Sequence, residues 1–183
     1  MNAARSMDPR AYERLVAGGG LARTELRAGV PVEKPERNQD QQRLLRDMAI
    51  AIGRQLDRSD TRLQLNRARL AVARDSYYIP DIVILPHRVD EVDQDGPTIR
   101  RDPALLVIDL LSPDGDDDQQ DRIAGYRLRG DAEVWLLQPS AALVTRWTRR
   151  DDGEYDESTS LPGITAPVLL PEVRIDLGTL LAG

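Results

Sequence analysis

Two aspartates stand in the most apolar part of this chain. Asp81 enters the run Ile79-Pro80-Asp81-Ile82-Val83-Ile84-Leu85, and Asp109 lies inside Leu105-Leu106-Val107-Ile108-Asp109-Leu110-Leu111. Both runs are rich in Val, Ile and Leu and are bounded by proline or polar turn residues, the pattern of strands buried on both faces. An ionised carboxylate in such a strand is costly unless a cation, a hydrogen-bonded partner or a displaced pKa accompanies it. Side chains alternate along a strand, so Asp109 shares a face with Val107, and Asp81 with Val83. If the two strands are neighbours the carboxylates converge, and one hard divalent ion, Mg²⁺ or Mn²⁺, would account for both, since such ions take one or two carboxylates together with water and phosphate. The structural alternative is that each aspartate accepts from an arginine or from backbone N–H groups. For either residue alone that alternative is the better one; for the pair, followed by a helix, the metal is favoured.

The helix follows Ser112-Pro113 and the acidic stretch Asp114-Gly115-Asp116-Asp117-Asp118. A calcium loop is excluded there, because the sixth position is Gln119 rather than Gly and the twelfth is Gly125 rather than Glu. Carboxylates at the start of a helix that ends at Gly130 are the simpler account. Asp118, Arg122 and Tyr126 lie at i, i+4 and i+8 and form one stripe. Arg122 either faces the paired aspartates or makes an ion pair with Asp118. An arginine stays protonated, so it can stabilise charge on a phosphate but cannot act as a base.

Pro80-Asp81, then Val107-Ile108-Asp109-Leu110-Leu111-Ser112-Pro113, then Asp118, Arg122 and Tyr126, then Glu133-Val134-Trp135-Leu136-Leu137-Gln138-Pro139 resemble in order and spacing the Uma (Uma-two) family of restriction-endonuclease-like proteins, in the PD-(D/E)xK nuclease superfamily. Glu25-Leu26-Arg27-Ala28-Gly29 is similar to the family's early hairpin, and Leu169 to Val173 to its usual ending. The resemblance implies Mg²⁺- or Mn²⁺-dependent hydrolysis of phosphodiester bonds in DNA. Asp81, Asp109, the Leu110 carbonyl and Glu25 would hold the ion, and Arg122 would stabilise the developing charge. Two departures stand out: Asp109 replaces a glutamate, and Arg122 replaces a lysine. The histidine that many members carry before the long helix is missing from Asn38-Gln39-Asp40-Gln41.

The elements that must place these residues are legible in outline. Asp8 as N-cap and Pro9 start a first helix, which Gly18-Gly19-Gly20 ends. That triple glycine lacks the Gly-Lys-Ser/Thr ending of a phosphate loop. Ala22 to Leu26 and Val30 to Glu33 pair across Ala28-Gly29, and Glu25 in this hairpin is solvent-exposed unless the resemblance holds. Gln39 to Leu56 reads as the longest helix, with Leu44, Leu45, Met48, Ile52 and Leu56 on its core face. Leu63–Leu65, Ala68–Ala73, Glu133–Gln138, Ala142–Thr148 and Glu154–Thr159 read as strands, and Leu85 to Pro103 as a polar loop carrying Asp90, Glu91, Asp93 and Asp95. Pro167 to Leu181 closes the chain with a strand and a short helix.

The length of 183 residues suits one domain over 1–183. The chain has no cysteine and one histidine, His87, which argues against zinc and thiolate chemistry. A net charge of -6 argues against a general nucleic-acid coat but not against a local basic site. Of 25 basic residues only Lys34 is lysine. No signal peptide or membrane-spanning run is visible, so a soluble cytoplasmic protein is expected.

The expectation is an α/β (α+β) domain, restriction-endonuclease-like, with a mixed twisted sheet flanked by helices. Its function is metal-dependent cleavage of DNA, with a homodimer as the assembly to look for. The alternative is a catalytically degenerate member that binds nucleic acid or protein. A third reading is a small acidic interaction domain in which the aspartate pair is structural.

Overall fold

A computed structural model describes residues 6–87, 98–111 and 118–182. The acidic loop read at Asp90 to Pro97 and the turn Asp114 to Asp117 lie outside the described residues.

Capping chemistry fixes the first two helices. Asp8 accepts from the Ala11 N–H at the start of α1 (Pro9–Ala17). Asn38 and Gln41 form a reciprocal capping box at the start of α2 (Gln39–Gly53). Between them β1 (Thr24–Arg27) and β2 (Val30–Glu33) form the expected hairpin, turning through Ala28 and Gly29, both at positive φ.

The remaining strands are β3 (Thr61–Leu65), β4 (Arg69–Ala73), β5 (Ser76–Tyr78), β6 (Ile82–Pro86), β7 (Ile99–Arg100), β8 (Leu106–Leu110), β9 (Glu133–Gln138), β10 (Leu143–Arg149), β11 (Tyr155–Ser160), β12 (Ile164–Thr165) and β13 (Ile175–Asp176). Helix α3 (Asp118–Arg129) connects β8 to β9, and α4 (Leu177–Ala182) follows β13. The fold class read from the sequence is the one found: a mixed α/β domain, with four α-helices among the described residues. Its strands divide into a five-stranded sheet ordered β2-β1-β5-β4-β7, a six-stranded sheet ordered β11-β10-β9-β8-β6-β3 and the small pair β12-β13. Strands β8 and β9 are parallel, as a helical crossover through α3 requires, while β6 and β8 are antiparallel.

The reading of β6 and β8 as buried on both faces is borne out by their packing. Ile82, Ile84, Leu106 and Ile108 pack with Leu44, Leu45, Met48 and Ile52 of α2. Val83, Leu85 and Val107 pack on the other face with Leu70, Val72, Ile123 and Tyr126. Because Asp81 and Asp109 have the parity of Val83 and Val107, both carboxylates fall on the α3 side of the sheet. Register adds the rest: Ile82 pairs with Ile108, which sets Asp81 opposite Asp109 one step further.

The chain leaves the five-stranded sheet after Tyr78 and joins the six-stranded sheet at Ile82. Ile79, Pro80 and Asp81 make the passage, and all three are buried. Helix α3 lies close against this corner. A Cβ built on Gly125 would stand 3.1 Å from the Tyr78 ring and 3.1 Å from Val72 Cβ. Gly125→Ala gains about 1 kcal/mol of helix propensity but overpacks two buried strand side chains, an effect worth about 1–3 kcal/mol. A net fall in melting temperature is expected. A rise would mean that α3 can move off the sheet without loss.

Candidate functional site

Glu25, Asp81, Asp109 and Arg122, the four residues singled out by sequence, meet at the Ile79–Asp81 passage. The three acids are fully buried and Arg122 is 4% exposed. Arg122 Nη1 donates to both oxygens of Glu25 at 2.7 and 2.8 Å, and its Nε donates to Asp109 Oδ2 at 3.2 Å. Its Nη2 donates to the Ile79 carbonyl at 2.9 Å. Tyr126, one turn on, donates to the same Asp109 oxygen at 3.0 Å. The stripe of Arg122 and Tyr126 thus faces the acids; the Asp118 side chain lies outside the described residues.

Three further cations complete the centre. Lys34 Nζ donates to Asp81 Oδ1 at 2.7 Å, the Ile79 carbonyl at 2.7 Å and Asn66 Oδ1 at 3.1 Å, which uses all three of its hydrogens. Arg37, in the link between β2 and α2, donates from Nη2 to Asp81 Oδ2 at 2.7 Å and to the Leu110 carbonyl at 2.8 Å. Its Nε also reaches Asp81 Oδ1 at 3.3 Å. Backbone groups join in: Asp81 N–H donates to Asp109 Oδ1, Leu110 N–H to Asp81 Oδ2, and Ile79 N–H to Glu25 Oε1. Arg27 donates to Glu25 Oε2.

The electrostatics follow from these contacts. Burial alone would raise Asp81, but Lys34 and Arg37 outweigh it and hold the carboxyl at about 2. Burial likewise opposes ionisation of Glu25, and Arg122 with the Ile79 N–H keeps it below the ordinary value. Burial would favour neutral Arg122, yet Tyr126, Asp109 and Glu25 hold its pKa well above the usual arginine value. Burial pushes the Tyr126 phenol well up, so it remains a donor. Three carboxylates therefore face Lys34, Arg37 and Arg122, with Arg27 against Glu25 as a fourth cation, so the acids are fully neutralised.

A divalent ion needs oxygen lone pairs turned toward a common point. Here each of the six carboxylate oxygens of Glu25, Asp81 and Asp109 already accepts at least one hydrogen bond, and the Leu110 carbonyl accepts from Arg37. Among the described residues no trio of Asp, Glu or His side chains is arranged to hold a metal. As arranged, the donor set that the resemblance assigned to Mg²⁺ or Mn²⁺ does not fit the ion. Sequence reasoning found the acids and Arg122 but missed Lys34 and Arg37 as their partners. The signal available was that the only lysine of the chain stands three residues before Arg37, at the end of the hairpin that carries Glu25.

Comparison with known proteins gives the family and the fold. A family model described as "Putative restriction endonuclease" matches residues 9–178. No protein of curated function matches the chain. Among solved structures, the chain is similar to a "putative nuclease belonging to DUF820" from Anabaena variabilis, with 18% identity over 87% of this chain and 89% of the other and a TM-score of 0.68. That likeness supports the mixed α/β fold.

Two outcomes are expected of this centre. Asp109→Asn weakens an ion pair with Arg122 while Glu25 still holds the guanidinium, so the loss falls at the low end for a broken buried pair, about 3 kcal/mol. Urea unfolding checks it; an unchanged or higher stability would mean that Asp109 is not structural. The second concerns acid. Asp81 falls from its ordinary 3.8 to about 2 on folding, so its contribution is full above about pH 4 and is lost as pH drops toward about 2. Glu25, also lowered, acts in the same direction, whereas buried Asp131 and Glu133 are raised by desolvation and act oppositely. The stability difference between wild type and Asp81→Asn isolates the Asp81 part and should shrink over that window.

Proposed function

The chain belongs to the Uma2 family, and from that premise we propose that it is a non-cleaving member: a nuclease-fold domain that binds the backbone of DNA while its acidic centre stays closed. One observation carries this reading. Lys34, Arg37 and Arg122, with Arg27 beside Glu25, neutralise Glu25, Asp81 and Asp109 from within. A divalent ion added to a set already neutralised would leave at least two uncompensated positive charges in a buried site.

Arg37 is the group on which phosphate contact is placed. Its side chain is 15% exposed against 7% for Lys34 and 5% for Arg122. Among the described residues its Nη1 has no partner, and a guanidinium edge suits a phosphate oxygen. The adjoining groove of about 520 Å³, lined in part by Asn38, Asp40, Arg43, Asp47 and Leu111, carries two aspartates and is less suited to a polyanion.

Metal-dependent DNA hydrolysis keeps its own support in the family match and in the convergence of the acids with Arg122. The two readings part in one experiment. Fluorescence anisotropy with labelled duplex and single-stranded DNA in EDTA should detect binding that weakens as salt rises. Incubation with Mg²⁺ or Mn²⁺ should leave the DNA intact, and Arg122→Lys alone should not confer cleavage. Strand scission that EDTA abolishes would restore the endonuclease. Absence of binding at low salt would leave the interaction domain with a structural ion network.

A further inference from the structure

A second set of arginines gathers at the end of β8 opposite Arg37. Arg127 and Arg129 stand in the last turn of α3, where cations meet the negative end of the helix dipole. Arg149 ends β10 and lies directly across from Tyr155, the first residue of β11, so the two side chains share a face of the sheet. The Arg127 guanidinium lies over the Tyr155 ring, 5.2 Å from its centre. That ring is fixed in turn, because its hydroxyl donates to the Asp131 carbonyl. Arg149 runs past two turns: a Cβ built on Gly130 would stand 3.8 Å from its Nε, and one on Gly153 3.4 Å from its Nη2.

The use of their donors sets these arginines apart. Arg129 spends its guanidinium on both Asp131 oxygens and on the Arg100 carbonyl. Arg150 pairs with Asp152 and Asp156. Among the described residues the guanidinium groups of Arg127 and Arg149 make no hydrogen bond and no ion pair, and Arg127 Nε is buried. Two cations held around one ring repel when no carboxylate pairs with either, and a buried donor without an acceptor is costly. One oxyanion would answer both. The Tyr155 phenol lies in the same field: burial and then Asp131 push it up to about 12, while Arg149, Arg127 and Arg129 all act to lower it.

We infer that Arg127 and Arg149 form a second anchor for the nucleic-acid backbone, with a phosphodiester oxyanion held between their guanidinium groups beside Tyr155. The inference rests on reading the domain as one that binds DNA. A guanidinium offers paired N–H donors in a planar fork that matches a phosphate, and the Tyr155 ring already restricts the Arg127 head group. Placement favours a long polyanion over a small one. Arg149 is exposed and Arg127 half-buried. Arg149 N–H donates to the Ala132 carbonyl and Ala132 N–H to the Ala104 carbonyl, so this pair sits where β8 begins, whereas Arg37 meets the Leu110 carbonyl where it ends. From Ala104 to Leu110 the chain covers roughly 20 Å at about 3.3 Å per residue. A duplex presents a phosphate about every 3.4 Å along each strand, so one molecule reaches both anchors. A free phosphate occupies only one.

The probe is a labelled duplex of about 20 base pairs, long enough to span both anchors. Its anisotropy is followed in EDTA over a salt series for wild type, Arg127→Gln, Arg149→Gln, the double variant and the neighbouring control Arg150→Gln, with circular dichroism as the check on folding. Each single variant should bind severalfold more weakly and lower the slope of log affinity against log salt by about 1, and the double variant by about 2. The loss should be the same on two duplexes of unrelated sequence, because a phosphate carries no base information. Arg150→Gln removes the same charge from the next residue and should keep the wild-type slope. If the double variant does not fold, the single variants carry the test. Wild-type affinity and slope in the Arg127 and Arg149 variants would overturn this inference and leave the DNA-binding reading standing. An equal loss in Arg150→Gln would mean a diffuse field rather than a site, and would also overturn it. No binding by wild type at low salt would overturn the DNA-binding reading and this inference with it. Inorganic phosphate that raises the melting temperature of wild type but not of the double variant, with DNA affinity equal in both, would make the occupant a free anion and overturn the backbone assignment.

Discussion

The buried main chain from Ile79 to Asp81 has left one sheet and has not yet joined the other, so its polar groups lack ladder partners in either. Unpaired backbone donors and acceptors away from water are expensive, and this passage must satisfy them locally. Pro80 removes one donor outright. Glu25 takes the Ile79 N–H, Lys34 and Arg122 supply the Ile79 carbonyl, and Asp109 takes the Asp81 N–H. The Asp81 carbonyl accepts from Asn66 N–H. Glu25, Asp109, Lys34 and Arg122 thereby each do two things: they meet an opposite charge, and they close a hydrogen bond that the change of sheet left open.

This double service explains how so many ions can sit inside so small a protein. A buried ion pair on its own often contributes little, since desolvation offsets attraction. Here the desolvated charges also accept from or donate to main chain, so the comparison is not with an apolar core but with a passage of unsatisfied amides. A different buried carboxylate repeats the device at the far end of β8. Asp131 accepts from Ala104 N–H and from Arg129, joining the end of α3 to the entry of the strand that carries Asp109. Glu133 does likewise, receiving Trp135 Nε1–H and the Val168 N–H, and so ties the C-terminal segment to β9. Trp135 is core, and its ring lies under the Arg146 guanidinium.

Much of this was legible in the sequence, and what was not has physical reasons. The apolar runs around Asp81 and Asp109 announced buried strands, and the i, i+4 spacing put Arg122 and Tyr126 on one face; that the strands are neighbours and that this face turns toward the acids came from the structure. The helices were readable from Asp8, Pro9 and the stripe of α2, whose last residue Leu56 falls beyond the helix end at Gly53. Strands β5 and β7 were not found, because three and two residues are too short for an alternation to register. The division into two sheets was missed for a related reason: Ser76 to Leu85 reads as continuous apolar chain, and the break falls at Pro80 without a polar residue before Asp81. Lys34 and Arg37 were missed because pairing across 47 and 44 residues leaves no periodic trace. The resemblance, drawn from acidic residues, directed attention to a metal in the place where the chain supplies its own cations.

The contact between Glu25 and Arg122 joins residues 97 positions apart in the chain. Until α3 exists and docks, Glu25 lacks the Arg122 guanidinium and has Arg27, two residues away, beside it. The Asp81–Asp109 contact is closer, at 28 residues, yet Arg122 must still follow. During synthesis from the N-terminus, the first hundred residues therefore emerge with their future interior charged and hydrated. Loop closure over such spans is slow compared with hairpin or helix formation. Closing the centre is thus a late event that commits both sheets together. An incomplete chain of this protein would stay open at its core rather than collapse into a half-domain, and for that interval its unpaired apolar strands would depend on the surrounding charges for solubility.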